Sequence, residues 1–187
     1  MSTAKTLLDG LCTYFGGAYD ATTHTYRTPR ITVANLDGPV YRRAEPKRDD
    51  HNTDYQASGA VGSSAGCLVW AVAERGVEKR VAVAGATSGL KHVSWSIRMH
   101  HFFRASTLFS EDLQDVVYDT LDAERALIEA DRTCGSGGFE AGYGVGFQVG
   151  EGGEPWLQWT VSPVATTRDL SKAYMVLEFA ADQYIQA

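Results

Sequence analysis

The sequence is short of cysteine, proline and long apolar runs, and each shortage narrows what it can be. Its three cysteines, Cys12, Cys67 and Cys134, are an odd number at wide spacings, and no CxxC pair occurs. That argues against a disulfide framework or a structural zinc site and for small buried side chains in a reducing compartment. No run approaches the ~20 apolar residues of a membrane helix. Residues 1–15 lack the continuous apolar core of a signal peptide, so a soluble product made in the cytoplasm is expected. Positive charge is also in deficit: 17 Lys and Arg against 23 Asp and Glu leave a net charge of −6, a poor balance for wrapping nucleic acid. Neither GxxxxGK[ST] nor GxSxG occurs, so neither a phosphate loop nor a hydrolase nucleophile elbow is supported.

What is present is an ordinary globular composition, 44% hydrophobic and 21% charged, in 187 residues. At roughly 150 residues per domain this predicts a single domain over 1–187. Leu7, Leu8 and Leu11 recur at helical spacing over 2–15, and Gly16-Gly17 closes that helix. Ile31 to Val33 and Val40-Tyr41 read as short strands around an Asp37-Gly38-Pro39 turn. Residues 44–66 carry no apolar period and are expected to form a long polar loop insertion. Cys67 to Ala73 and Val77 to Ala84 read as a hairpin turning at Glu74-Arg75-Gly76.

The best strand follows. Val93, Trp95, Ile97, Met99, His101 and Phe103 alternate with Ser94, Ser96, Arg98, His100 and Arg104. Ser110 then caps an amphipathic helix with Glu111 and Asp112 in its first turn. Leu113, Val116, Val117, Leu121 and Ile128 form its core face, and Asp115, Asp119, Asp122, Glu124, Arg125 and Glu129 its solvated face. Cys134-Gly135 is expected to end it. Alternation from Phe139 to Val149, between glycines, predicts a glycine-faced strand. Two more strands follow at Trp156 to Val161 and Ala173 to Ala181, with 182–187 as a tail. Helix, strands, helix, strands predicts an α+β fold: a mostly antiparallel mixed sheet with two helices on one face.

Little in this layout is assembled for chemistry. His100 and His101 point to opposite faces of a strand and cannot chelate one ion together. Neither an enzyme activity, a metal site nor a cofactor is expected. The notable features are the mixed charges of the 44–66 region and the aromatics Trp156, Trp159, Tyr174, Phe179 and Tyr184. Both suit a self-assembling subunit.

The block Lys91-His92-Val93-Ser94-Trp95-Ser96-Ile97-Arg98-Met99-His100, its aromatic end Phe102-Phe103-Arg104, and the helix opening Ser110-Glu111-Asp112-Leu113-Gln114-Asp115-Val116 carry a resemblance. So do Val149-Gly150-Glu151 and Ala173-Tyr174-Met175-Val176-Leu177-Glu178-Phe179, ending in Gln183-Tyr184-Ile185. In these residues and in element order the chain resembles tail terminator (tail completion) proteins of long-tailed bacteriophages, the lambda-type minor tail protein that caps the tail tube. The resemblance implies a virion protein at the tail–neck junction and a ring of about six subunits. The ring would seat on the tail tube protein below the head–tail connector. It also implies double-stranded DNA passing the lumen without specific binding, and neither enzyme activity nor membrane. A ring of like subunits needs two unlike complementary faces. Arg42, Arg43, Lys47, Arg48, Asp49, Asp50 and His51 are the candidate subunit interface. Two alternatives stand beside this reading. One is a head–tail stopper or tail-tube subunit; the other is a small ligand-binding domain using His100, Arg98 and Glu178.

Overall fold

Period-two alternation dominates the chain, and strands accordingly carry its architecture. The computed structural model describes residues 3–45, 65–83, 89–106, 108–142, 145–150, 157–167 and 170–186. Helix α1 is Thr3–Gly16; β1 (Tyr19–Asp20) and β2 (Thr25–Tyr26) form a small hairpin; β3 is Leu36–Arg42. Two long strands follow, β4 (Ala65–Val83) and β5 (Gly89–Ala105), then helix α2 (Ser110–Ala130). A 3-10 turn at Gly138–Ala141 leads to β6 (Gln148–Val149), β7 (Leu157–Val161), β8 (Ala165–Thr167) and the long β9 (Leu170–Gln186).

The sheet runs β1-β2-β3-β4-β5-β9-β6, with β7 and β8 also paired to β9. All pairings are antiparallel except β3 with β4, where Leu36 lies opposite Ala65 and Arg42 opposite Trp70. Strand β9 is the hub. One edge pairs with β5 from Leu90 opposite Gln186 to Ala105 opposite Ser171. Its other edge takes β8, β7 and β6 in succession.

Both helices cover the same face. Leu7, Leu11 and Phe15 of α1 and Leu113, Val116, Val117, Leu121 and Ile128 of α2 share one buried cluster with Val69, Ile97, Met99, Met175 and Leu177 of the sheet. The α+β architecture and the predicted core face of α2 are as expected. A smaller cluster of Val40, Leu68 and Trp70 sits on the opposite face.

Several boundaries differ from the sequence reading. Asp37-Gly38-Pro39 is not a turn: it lies inside β3, where a register shift between Asp37 and Val40 absorbs the proline's missing donor. Ile31 to Val33 lies outside any strand. Glu74-Arg75-Gly76 is not a hairpin turn either. It is a bulge in one continuous strand, with the register stepping between Ala73 and Arg75. Gly76 is needed there because it faces Trp95, and a Cβ would stand 2.6 Å from the indole ring.

Helix α2 is capped by Phe109 without a side-chain bond, and Ser110 instead donates to Glu111. The helix ends at Ala130 rather than Cys134. The Asp131 carboxylate gathers the Thr133 and Gly135 backbone N–H groups into a turn, with Cys134 in left-handed backbone. Among the described residues of 139–149, only Gln148 and Val149 lie in a strand, so the expected glycine-faced strand is not formed there. Gly137, Gly138 and Gly142 have φ of 77°, 59° and 107°, a left-handed geometry no strand sustains. Residues 182–186 are no tail but the end of β9, where Asp182 and Gln183 are fully buried.

Candidate functional site

Three places on this framework hold side chains that could act: a charged and aromatic cluster on the open face of the sheet, an exposed outer strand, and a polar centre under α2. The open face bears the residues of the ligand-binding alternative. Arg98 on β5 forms ion pairs with Glu74 at 2.9 Å and Glu178 at 3.0 Å. His100, two residues along, meets the Tyr174 hydroxyl at 2.6 Å and stacks on Trp70, which stacks in turn on Phe102 at 4.3 Å. Partial burial lowers the His100 pKa below the ordinary imidazole value, against the pull of Glu74. The guanidinium is thus spent on two carboxylates, and the imidazole is locked in a ring stack.

Of the predicted interface residues, Arg42 and Arg43 are described. Arg42 ends β3 opposite Trp70, and its carbonyl accepts from the Cys12 thiol at 3.5 Å. Arg43 pairs with Asp9 of α1 at 2.8 Å and lies over the Tyr19 ring. The Arg42 main chain thus meets α1, and the Arg43 side chain braces α1 and β1 against the end of β3. Lys47, Arg48, Asp49, Asp50 and His51 lie outside the described residues, as does most of the 44–66 insertion. Ala65 and Gly66 already belong to β4.

The outer strand is the second half of β4. Beyond the bulge, residues 74–82 are exposed without exception, and Val77 and Val81 show 49% and 54% of their surface. β3 pairs only with Ala65 to Trp70, so the outer half has β5 as its only strand partner among the described residues. The glycine-free stretch Val77-Glu78-Lys79-Arg80-Val81 alternates apolar ends with both signs of charge. Across the sheet, β7 pairs with β9 along one edge and presents Trp159, 46% exposed, beneath the Arg125 guanidinium of α2. No family model matches the chain, and no curated protein matches it.

The polar centre escaped the sequence reading. Glu124, assigned to the solvated face of α2, is fully buried. Its Oε1 accepts from the Tyr41 hydroxyl at 2.7 Å, and its Oε2 lies 2.7 Å from His101 Nε2. Burial and the adjacent carboxylate push the Tyr41 phenol well above its usual range. A signal existed: residues 117, 120, 121, 124 and 128 share one helical stripe, and His101 lies on the apolar face of β5. A lone carboxylate and a lone imidazole, each on an apolar face, imply one another.

The cysteines behave as expected of buried thiols. Burial pushes Cys12 and Cys134 up to about 12, so neither is a nucleophile at neutral pH. Among the described residues, no group of three His, Cys, Asp or Glu could hold a metal ion, and His100 and His101 do face opposite ways. A cavity of about 540 Å³ opens between α1 and residues 134–136, 145 and 147, with Phe147, Tyr14 and Cys134 among its lining and Arg30 and Asp9 as its charged groups.

Proposed function

We propose that this protein is a self-assembling structural subunit, a ring-former of the tail terminator kind that caps the tail tube of a long-tailed phage at the neck. The observation that carries the reading is the outer half of β4. Natural sheets blunt or cover long edges, because unpaired backbone donors and acceptors recruit further strands. Here residues 74–82 stand exposed with valines and charges of both signs. Among the described residues, the opposite side of the sheet carries a different outer strand, β7, with an exposed tryptophan. Two unlike edges on opposite sides favour head-to-tail contact, and head-to-tail contact closes into a ring when its rotation allows. The partners in this reading are further copies of the chain, the tail tube protein and the neck connector, with duplex DNA in the lumen. A net charge of −6 per subunit favours passage of the duplex over adhesion.

Sedimentation and negative-stain imaging of the purified protein test the proposal, alongside the double variant Val77→Lys/Val81→Lys. Both valines are half exposed, so the variant should melt like the parent. The expected result is a closed ring for the parent at high protein concentration and a monomer for the variant. Long tubes from the parent alone would identify a tube subunit instead. A parent that stays monomeric at every concentration, with or without tail tubes, would overturn the assembly reading.

A further inference from the structure

The outer half of β4 carries charges that do not cancel. Its two carboxylates are taken by β5: Glu78 by Lys91 at 2.8 Å and Glu74 by Arg98 at 2.9 Å. Arg75, Lys79 and Arg80 are exposed and make no ion pair among the described residues. The ladder sets Arg75, Val77 and Lys79 opposite Ser96, Ser94 and His92, so these three share the open face of the sheet with Arg98 and His100. A half-exposed valine thus sits between two uncompensated cations. At about 3.3 Å per residue, the stripe from Arg75 to Lys79 is about 13 Å long.

Helix α2 presents the opposite sign. Arg125 is the only Lys or Arg among its 21 residues, and it is shared by Asp122 at 3.3 Å and Glu129 at 3.6 Å. Asp112, Asp115 and Asp119 are exposed and make no ion pair among the described residues. With Asp122 they recur at i, i+3, i+7 and i+10, one stripe about 15 Å long at about 1.5 Å per residue. Like charges at these spacings repel, and a cationic surface laid along them would relieve the repulsion. Tyr118, 49% exposed, stands beside the stripe, three residues after Asp115 and four before Asp122. The helix reaches the β7 side of the sheet, where Arg125 lies 4.6 Å over the Trp159 ring, with β9 and β5 between that strand and β4.

We infer that the outer half of β4 docks on the acidic face of α2 in the next copy of the chain, with Arg75 and Lys79 set along the Asp112–Asp122 stripe and Val77 against Tyr118. The contact rests on the assembly reading and names the face that receives the strand. Sign, length and apolar centre all match. Cations and carboxylates left unpaired in the free subunit gain opposite partners around one aliphatic and one aromatic side chain, the ordinary arrangement of an interface. Two β4 stripes repel each other, and so do two α2 stripes. The faces fit one another and not themselves, which excludes a two-fold pairing through either and leaves head-to-tail contact. Duplex DNA would also attract the cations, but Glu74 and Glu78 alternate with them along the strand, and a carboxylate opposes a phosphate track.

Charge reversal on each face of the full chain tests this. Arg75→Glu/Lys79→Glu reverses one face, Asp115→Lys/Asp119→Lys reverses the other, and a third protein carries all four substitutions. The four positions are exposed, so every variant should melt like the parent. Sedimentation reads the concentration at which half the chains are assembled. Each single-face variant should need about tenfold more protein than the parent, or more, because like charges then meet. The protein with all four substitutions should return to within about threefold of the parent. An equal mixture of the two single-face variants should assemble where neither does alone. Assembly indifferent to either reversal, or weakened by both and not restored by their combination, would overturn the contact while the assembly reading stands. A parent that never assembles would remove both. Should a reversal fail to fold, Lys79→Ala and Asp119→Ala replace it in a double-mutant cycle on assembly: coupling between them is expected, and additive effects would overturn the contact.

Discussion

The two halves of β4 have the same backbone partner and opposite surroundings. Ala65 to Ala71 lie buried, with β3 on one edge and β5 on the other. Past the bulge at Glu74 the strand keeps β5, loses β3 and stands exposed on every residue to Ala82. The inner half is held by the core. The outer half is held by one ladder and a few cross-strand contacts, such as Lys91 with Glu78 at 2.8 Å, and exposed pairs of that kind contribute little, about 1 kcal/mol or less. A strand rigid at its root and open at its tip is suited to hold an edge in place for another chain.

The contrast breaks most severely from the buried side. Val117→Asp would set an unpaired carboxylate in the cluster that joins α2 to the sheet, and a loss of about 3 to 5 kcal/mol in urea unfolding is expected. Alkaline solution attacks the same side. The Cys12 and Cys134 thiols are raised from 9.0 to about 12 in the fold. Their stabilising contribution is complete below about 9 and is lost as pH climbs toward 12, because the unfolded chain ionises first. Unfolding measured from pH 9 to 12 should steepen accordingly, and Cys12→Ala should remove one thiol's share of the slope.

At the boundary, Gly76→Val should cost about 1 to 3 kcal/mol by forcing the Trp95 indole aside, with a change in near-ultraviolet tryptophan dichroism. On the open half, Val77→Ser should shift stability by no more than about 0.5 kcal/mol. A loss as large as that of Gly76→Val would mean that the outer half packs against something in the free subunit.

The sequence displayed the elements whose periodicity is paid out over many residues. The alternation of β5 from Val93 to Phe103 and the stripe of α2 from Leu113 to Ile128 both match the buried faces. It misled where a single residue changes phase. Glu74 adds one position to β4, and such a bulge looks on paper like a turn, especially beside a glycine. Pro39 looks like a strand breaker but sits where β3 shifts register. Glu124 was hidden by its chemistry. A carboxylate on a helix is ordinarily solvated, and only its coincidence with His101 on another element makes burial possible. Pairings between residues so far apart in sequence leave no local trace. For the candidate interface, sequence proximity grouped Arg43 with the charges after it, and the fold pairs its guanidinium with Asp9 of α1, a contact with no local trace in the sequence.

Strand β9 follows every other described element along the chain yet sits between β5 and the trio β6, β7 and β8. Until it is in place, β5 has a partner on only one edge, and β6, β7 and β8 have no strand to join. Closure of the sheet must therefore wait for contacts of very long sequence separation, which slows folding. During synthesis the β4–β5 hairpin emerges well before its last neighbour, and that interval leaves an unpaired inner edge open to other nascent chains.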